Sequence, residues 1–190
     1  MCHGSGASGL GISGSRRTFI IMTKFLVGIL IGICLVLVAG YLFVARGGIA
    51  MSTEGRPLPL ERFLARKALR ASIGKSAQEQ SPLPADEPNL LAGAHIYQEN
   101  CGGCHGRLGQ GPSGLSKRVY PHIPELLPPA EGVTDDPAGE TYWVVKNGIR
   151  FSAMPSFGSK LSDTETWQVT LLLRNAGKLS APVQDALRSQ

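Results

Sequence analysis

Cysteine is scarce in this sequence: Cys2, Cys34, Cys101 and Cys104 are all it has. Cys2 is near one end, Cys34 lies in an apolar run, and only Cys101 and Cys104 form a spaced pair. That excludes a disulfide-stapled fold. Aromatic residues make up 6% of the chain, and no basic stripe carries interleaved aromatics, so nucleic-acid binding is excluded as well. The net charge of +5 is not spread along the chain: residues 1–88 hold ten Lys/Arg and five Asp/Glu, whereas residues 89–180 hold eight of each. The basic excess therefore lies outside the region expected to fold, where anionic lipid is the natural counterpart.

Charge is absent altogether from Phe25 to Ala45, which reads FLVGILIGICLVLVAGYLFVA. A helix of about 20 apolar residues crosses a hydrocarbon core of about 30 Å. Lys24 and Arg46 bracket the run. It is longer than the apolar part of a cleaved signal peptide, and neither Val44-Ala45-Arg46 nor Gly48-Ile49-Ala50 makes a clean cleavage site. The expectation is an uncleaved single-pass anchor over 25–45. Residues 1–24 are rich in glycine and serine at their start and read as a disordered tail, with Met22 an alternative true start. Ser15-Arg16-Arg17-Thr18-Phe19-Ile20 is somewhat similar to a twin-arginine export signal, but arginines before a span are the ordinary case.

Residues 46–88 read as a linker. Leu60, Phe63, Leu64, Lys67, Ala68 and Leu69 give one apolar helical face to a stretch at about 58–73, and Arg62, Arg66 and Arg70 recur every fourth residue as a second, basic stripe. This predicts a basic amphipathic helix, either docked on lipid headgroups or a partner, or simply solvated. Pro82, Pro84 and Pro88 follow and predict an extended tether over 74–88. A folded domain is expected over 89–180, with 181–190 a C-terminal tail.

Asn100-Cys101-Gly102-Gly103-Cys104-His105-Gly106 contains C-x-x-C-H. Two thiols at this spacing can each add to one vinyl group of haem, and the adjacent His then reaches the iron: this is the pattern of c-type haem attachment. Structural zinc normally takes four protein ligands, and the second pair is missing. A thioredoxin-like redox pair needs a βαβ context that the flanks lack. After His105 there is one methionine, Met154, followed by Pro155. Proline disfavours helix at the residue before it. An extended Met beside the iron is a candidate sixth ligand, and thioether ligation raises the reduction potential. Two readings compete with this one: Met154 as core filler, and His122 as the ligand. His122 and His95 read as ordinary loop and surface residues.

Three helices are expected around this motif. Asn89 would cap the first, with Leu90, Leu91, Ala94 and Tyr97 at helical spacing and Gly93 four residues from Tyr97. Asp135-Asp136-Pro137 opens a second, with Tyr142, Trp143 and Val145 facing a core, and Asn147-Gly148 closes it. Ser162-Asp163-Thr164-Glu165 is a capping box for a third, with Trp167, Leu171 and Leu172 on one face and Gly177 as its terminator. The Gly/Pro-rich stretch 106–134 is a long loop, which a compact domain keeps only for a purpose such as wrapping a cofactor.

Gly93-Ala94-x-Ile96-Tyr97-x-x-Asn100-Cys101, Tyr142 to Ile149 with Met154-Pro155-Ser156-Phe157-Gly158, and Leu161-Ser162-Asp163 with Trp167 and Leu173-Arg174 together resemble a class I cytochrome c domain. The closest likeness is to the haem modules of bacterial dehydrogenases and cbb-type terminal oxidases. The resemblance implies an all-α fold around one covalent haem c, preceded here by a single transmembrane helix. It implies that the first and last helices cross near Gly93 and Tyr97, and that a proline carbonyl, nearest Pro124, holds the proximal His. It also implies one-electron transfer: a carrier and not an enzyme in its own right, with Cys101, Cys104, His105 and Met154 binding the haem and His105 and Met154 its iron. The expected partners are a redox donor and acceptor, a larger membrane oxidoreductase complex, and membrane lipid. The expected place is the bacterial cytoplasmic membrane, haem domain on the periplasmic side. Without a Met154 ligand the haem would suit a gas sensor; a role mainly in assembling a complex is the other alternative.

Overall fold

A computed structural model describes residues 12–128 and 132–188, with side chains from Phe19 onward. Residues 1–11 of the expected tail, 129–131 of the long loop and 189–190 lie outside the described residues. The chain divides into two compact units, Met1–Ala50 and Met51–Gln190.

The first unit holds α1, Ile12–Ala45. Its stretch Phe19–Ala45 is the one helix among the described residues long and apolar enough to cross a membrane. At 1.5 Å per residue, about 20 residues would suffice. Large apolar side chains are exposed all round it, a surface that suits lipid and not water. Helix begins at Ile12 and not Phe25, so residues 12–24 are not the tail expected from composition. No proline interrupts them, and extending an existing helix costs far less than nucleating one. Gly47, with φ +76, ends the helix: its N–H donates to the Val44 carbonyl and that of Gly48 to Phe43.

The second unit is helical, with no strand among its described residues and a single isolated bridge between Arg107 and Gly111. In chain order it contains α2 (Glu61–Ile73), α3 (Glu87–Asn100), α4 (Gly102–His105), α5 (Ala138–Asn147), α6 (Asp163–Arg174) and α7 (Ala181–Arg188). Asp86, not Asn89, caps α3: its side chain accepts the Asn89 N–H at 3.1 Å. Pro88 fits only in the first turn, which moves the start upstream of Asn89. Asn89 instead bridges the two long helices of the core, its Oδ1 accepting from Gln168.

Those helices, α3 and α6, cross at Gly93. A Cβ on Gly93 would collide with the Gln168 carbonyl, so only glycine allows the approach. Tyr97, Ala94, Val169 and Leu172 fill the contact. The Tyr97 hydroxyl donates to the Gly106 carbonyl at 2.8 Å, which ties α3 to the end of α4. The capping box at Ser162 and Glu165 starts α6 as expected. The helix buries more than one face, because α5 packs on the side away from α3. Trp167 turns to that side and stacks on Tyr142, with ring centroids 4.1 Å apart, while Leu172 stays against α3. The helix ends at Arg174, ahead of Gly177, with Asn175 as its C-cap.

Two segments outside the expected domain also pack. Residues 74–78 form a 3-10 turn, and Gly139 of α5 lets the Ser76 and Ala77 carbonyls approach where a Cβ would clash. Ile73 is buried beside this turn, and Leu83 packs on the Tyr142–Trp167 pair. Segment 74–88 is thus docked on the domain and not a free tether. At the other end, the expected C-terminal tail contains α7. Val183 (0% exposed) and Leu187 (2%) are four residues apart and enter the core, and the Ala186 carbonyl accepts from Gln98 of α3. Leu187→Ala is therefore expected to destabilise the domain by about 2–5 kcal/mol, read as a lowered midpoint in chemical denaturation. A change within experimental error would mean that α7 is dispensable to the core.

Candidate haem site

An apolar cavity of about 310 Å³ in the second unit takes its walls from six segments. That volume lies at the lower end of the roughly 300–1,000 Å³ typical of ligand sites. Cys101, Cys104 and His105, on and beside α4, line it from one segment; Met154 lines it from the loop after α5. Ile123, Pro124, Leu126 and Val133 contribute from the long loop, Val144 and Val145 from α5, and Leu173 from α6. The stretch 106–134 thus supplies one wall, within its described residues.

α4 is short because Gly106, at φ +86, ends it at once; a Cβ there would strike the Gly111 carbonyl. The Cys104 and His105 amides donate back to the Cys101 carbonyl, winding both thiols and the imidazole around one turn. The Ser113 hydroxyl donates to the Cys104 carbonyl at 2.5 Å and pins that turn to the loop.

His105 is half-buried, and its Nδ1 lies 2.8 Å from the Pro124 carbonyl oxygen. A carbonyl only accepts, so Nδ1 carries the proton and Nε2 keeps a free lone pair. Burial lowers the imidazole pKa, partly offset by that hydrogen bond, and favours the neutral ring that ligates metal. Pro124 is thus the carbonyl partner that the resemblance implied. Burial likewise pushes the Cys101 thiol up to about 12, with Cys104 adding to the rise and Lys160 opposing it. Among the described residues no cluster of His, Cys, Asp and Glu is arranged to hold a bare metal ion. With no strand, and so no βαβ unit, among the described residues either, both competitors to haem lose their structural context. Apolar walls, two unpaired thiols and an imidazole with Nε2 free fit a covalently held, iron-containing macrocycle.

Met154 is held by its neighbours. Its N–H donates to the Ser152 hydroxyl at 3.1 Å, and its carbonyl accepts from Ile149. The Phe157 and Gly158 amides donate to Val145 and Lys146 at the end of α5. Gly148, at φ +70, makes the turn out of α5, where a Cβ would crowd the Met154–Pro155 backbone. Phe151, in the same loop, is 92% exposed with φ +60, a strained conformation for a bulky residue. His122 also lines the cavity, its Nδ1 3.2 Å from the Ser116 carbonyl. His95 is exposed on α3, as expected.

One wall residue comes from outside the expected domain: Leu69 of α2. Its spacing to Ile73 is the signal that would have revealed it, since a second apolar pair four residues apart implies a second packed face.

The family model for cytochrome c oxidase, cbb3-type, subunit III, matches residues 88–172. Those residues form a c-type cytochrome domain. The domain's cofactor is covalently bound haem c with its iron, and its activity is electron transfer. α2 and α7 lie outside the matched cytochrome segment. Among solved structures, a chain of the reducing HAO-like protein complex of Kuenenia stuttgartiensis is similar at 25% identity and a TM-score of 0.42; the match covers 50% of this chain and 47% of that one. No curated protein matches.

Proposed function

We propose that this chain is a membrane-anchored electron carrier with one haem, bonded through Cys101 and Cys104 and ligated by His105 and Met154. The carrying observation is that these four side chains, from two separate segments, line a single apolar cavity. Bound haem supplies a one-electron Fe(III)/Fe(II) couple. The rest belongs to the chain. Pro124 fixes the tautomer and plane of His105. The Ser152 and Ile149 contacts hold Met154 in place. The apolar walls keep water from the cavity, which favours the less charged reduced state. His122 is two residues from Pro124, on the segment that holds His105, and this favours Met154 over His122 as the second residue that would hold the iron. With His105 and Met154 both holding it, no open position would remain for substrate or gas.

Covalent haem attachment takes place on the outer face of bacterial energy-transducing membranes. In this reading, then, α1 enters from the cytoplasm and the cytochrome domain stands in the periplasm, exchanging electrons with the subunits of a respiratory or related complex. The test uses the full chain purified in detergent. A redox titration is expected to follow a one-electron Nernst curve, and the ferrous protein is expected to leave its spectrum unchanged under carbon monoxide. A high-spin ferrous spectrum that shifts on adding carbon monoxide would instead support gas binding and sink the carrier reading.

A further inference from the structure

We infer that α2 is an interfacial helix clamped between an anionic bilayer surface and the cytochrome domain, so that the lipid-facing helix is itself part of the cavity wall. The inference rests on the membrane-anchored reading above. At 3.6 residues per turn, Leu60, Phe63 and Leu64 share one face, and Leu69 lies about 180° from Leu60. The two faces meet different surroundings. Leu69 lines the cavity and Ile73 is buried in the domain. Leu60, Phe63 and Leu64 are 69%, 59% and 57% exposed. A helix already docked on its own domain thus presents a second apolar face outward.

Charge indicates what covers that face. Arg62, Arg66, Lys67 and Arg70 stand against a single acid, Glu61. Glu61 is occupied at the helix start, its Oε2 accepting the Leu58 N–H at 2.8 Å. Among the described residues, no ion pair takes up any of the four cations. An apolar strip flanked by arginine and lysine suits the headgroup–acyl boundary of anionic lipid. Chain length adds the second reason. Only residues 46–60 separate α1 from α2. At about 3.3–3.6 Å per residue they span at most on the order of 50 Å, which tethers α2 within reach of the surface of the membrane that α1 crosses and raises its local concentration there. A helix is about 10–12 Å across, so this arrangement holds the cavity about one helix diameter from lipid, within reach of a membrane-embedded redox partner.

The experiment uses the haem-loaded full chain in nanodiscs, with Cys2→Ser and Cys34→Ser to clear the background and a nitroxide on Phe63→Cys. Power saturation compares collisions with oxygen, which partitions into lipid, and with a water-soluble nickel chelate. In discs containing anionic lipid the oxygen-to-nickel ratio is expected to exceed its aqueous value several-fold. It is expected to fall back in purely zwitterionic discs and with Arg66→Glu/Arg70→Glu. A label on Leu64→Cys guards against a local defect at Phe63. An aqueous ratio at both sites in anionic discs overturns the inference, as does shielding from both reagents, which would mean that protein, such as a second copy, covers the face. Equal lipid contact in zwitterionic discs overturns the role given to the cations. The visible spectrum of the same samples separates the two readings: a Met-ligated haem spectrum with an aqueous label sinks this inference alone, and a lipid-facing label with an abnormal spectrum sinks the haem-ligand reading alone.

Discussion

Met154→Ala is expected to abolish the sulfur-to-iron charge-transfer band of the oxidised protein and to lower its reduction potential by on the order of 0.1–0.2 V, a fraction of the ~0.8 V that axial ligands can span. Thioether is a soft ligand that favours Fe(II), and its loss stabilises Fe(III). The outcome separates three roles for this side chain. A core filler would give a loss of stability with the band and potential intact. A ligand gives the spectral and potential changes with modest unfolding, because residues 148–158 are also held by backbone hydrogen bonds to the end of α5. If His122 takes the vacated position, the protein stays low-spin without the band, and a Met154→Ala/His122→Ala double variant turns high-spin and binds carbon monoxide. An unchanged charge-transfer band in Met154→Ala would remove Met154 from the coordination sphere.

What could be read from the sequence follows from where chemistry constrains spacing. Cys101, Cys104 and His105 must share one turn to act on one ring, and that requirement is visible as C-x-x-C-H. Met154 stood out as the one methionine after His105, placed before a proline. The capping box at Ser162 is similarly local: two side chains satisfy two amides within four residues. Partner choice was not legible. Periodicity marks Trp167 as inward-facing, but whether it meets Tyr97 or Tyr142 depends on which helix packs on which side of α6. The same holds for α2, where Leu69 reads as part of one apolar face with Leu60, Phe63 and Leu64, whereas it lines the cavity and Ile73 is buried in the domain while those three stay exposed. α7 has only Val183 and Leu187 as anchors in eight residues, too little pattern to separate a docking helix from a tail. The start of α1 was missed because glycine and serine near residues 12–15 outweigh, in composition, a helix that propagates from the apolar run behind them.

The Cys101→Ser/Cys104→Ser protein is expected to lose its cooperative thermal transition altogether. Both serines are nearly isosteric with the cysteines, so the change tests the cofactor bonds and not the packing of the thiols. Without haem, the walls built by Leu126, Val145, Leu173 and Phe157 face an empty space of about 310 Å³. The side chains lose the apolar contacts that bound haem would give them, and whole domains are stable by only about 5–15 kcal/mol, so losing that burial removes a large share of the margin. The expected product keeps helical far-ultraviolet signal, in part from α1, which forms a separate unit, and lacks fixed aromatic signals from Tyr97, Tyr142 and Trp167. Cys104→Ala, which leaves one thioether, is expected to melt cooperatively at a temperature between those of the holoprotein and the disordered apoprotein. A cooperative melt of the double variant near that of the holoprotein would show instead that the helices carry the fold and that haem is only a passenger in it.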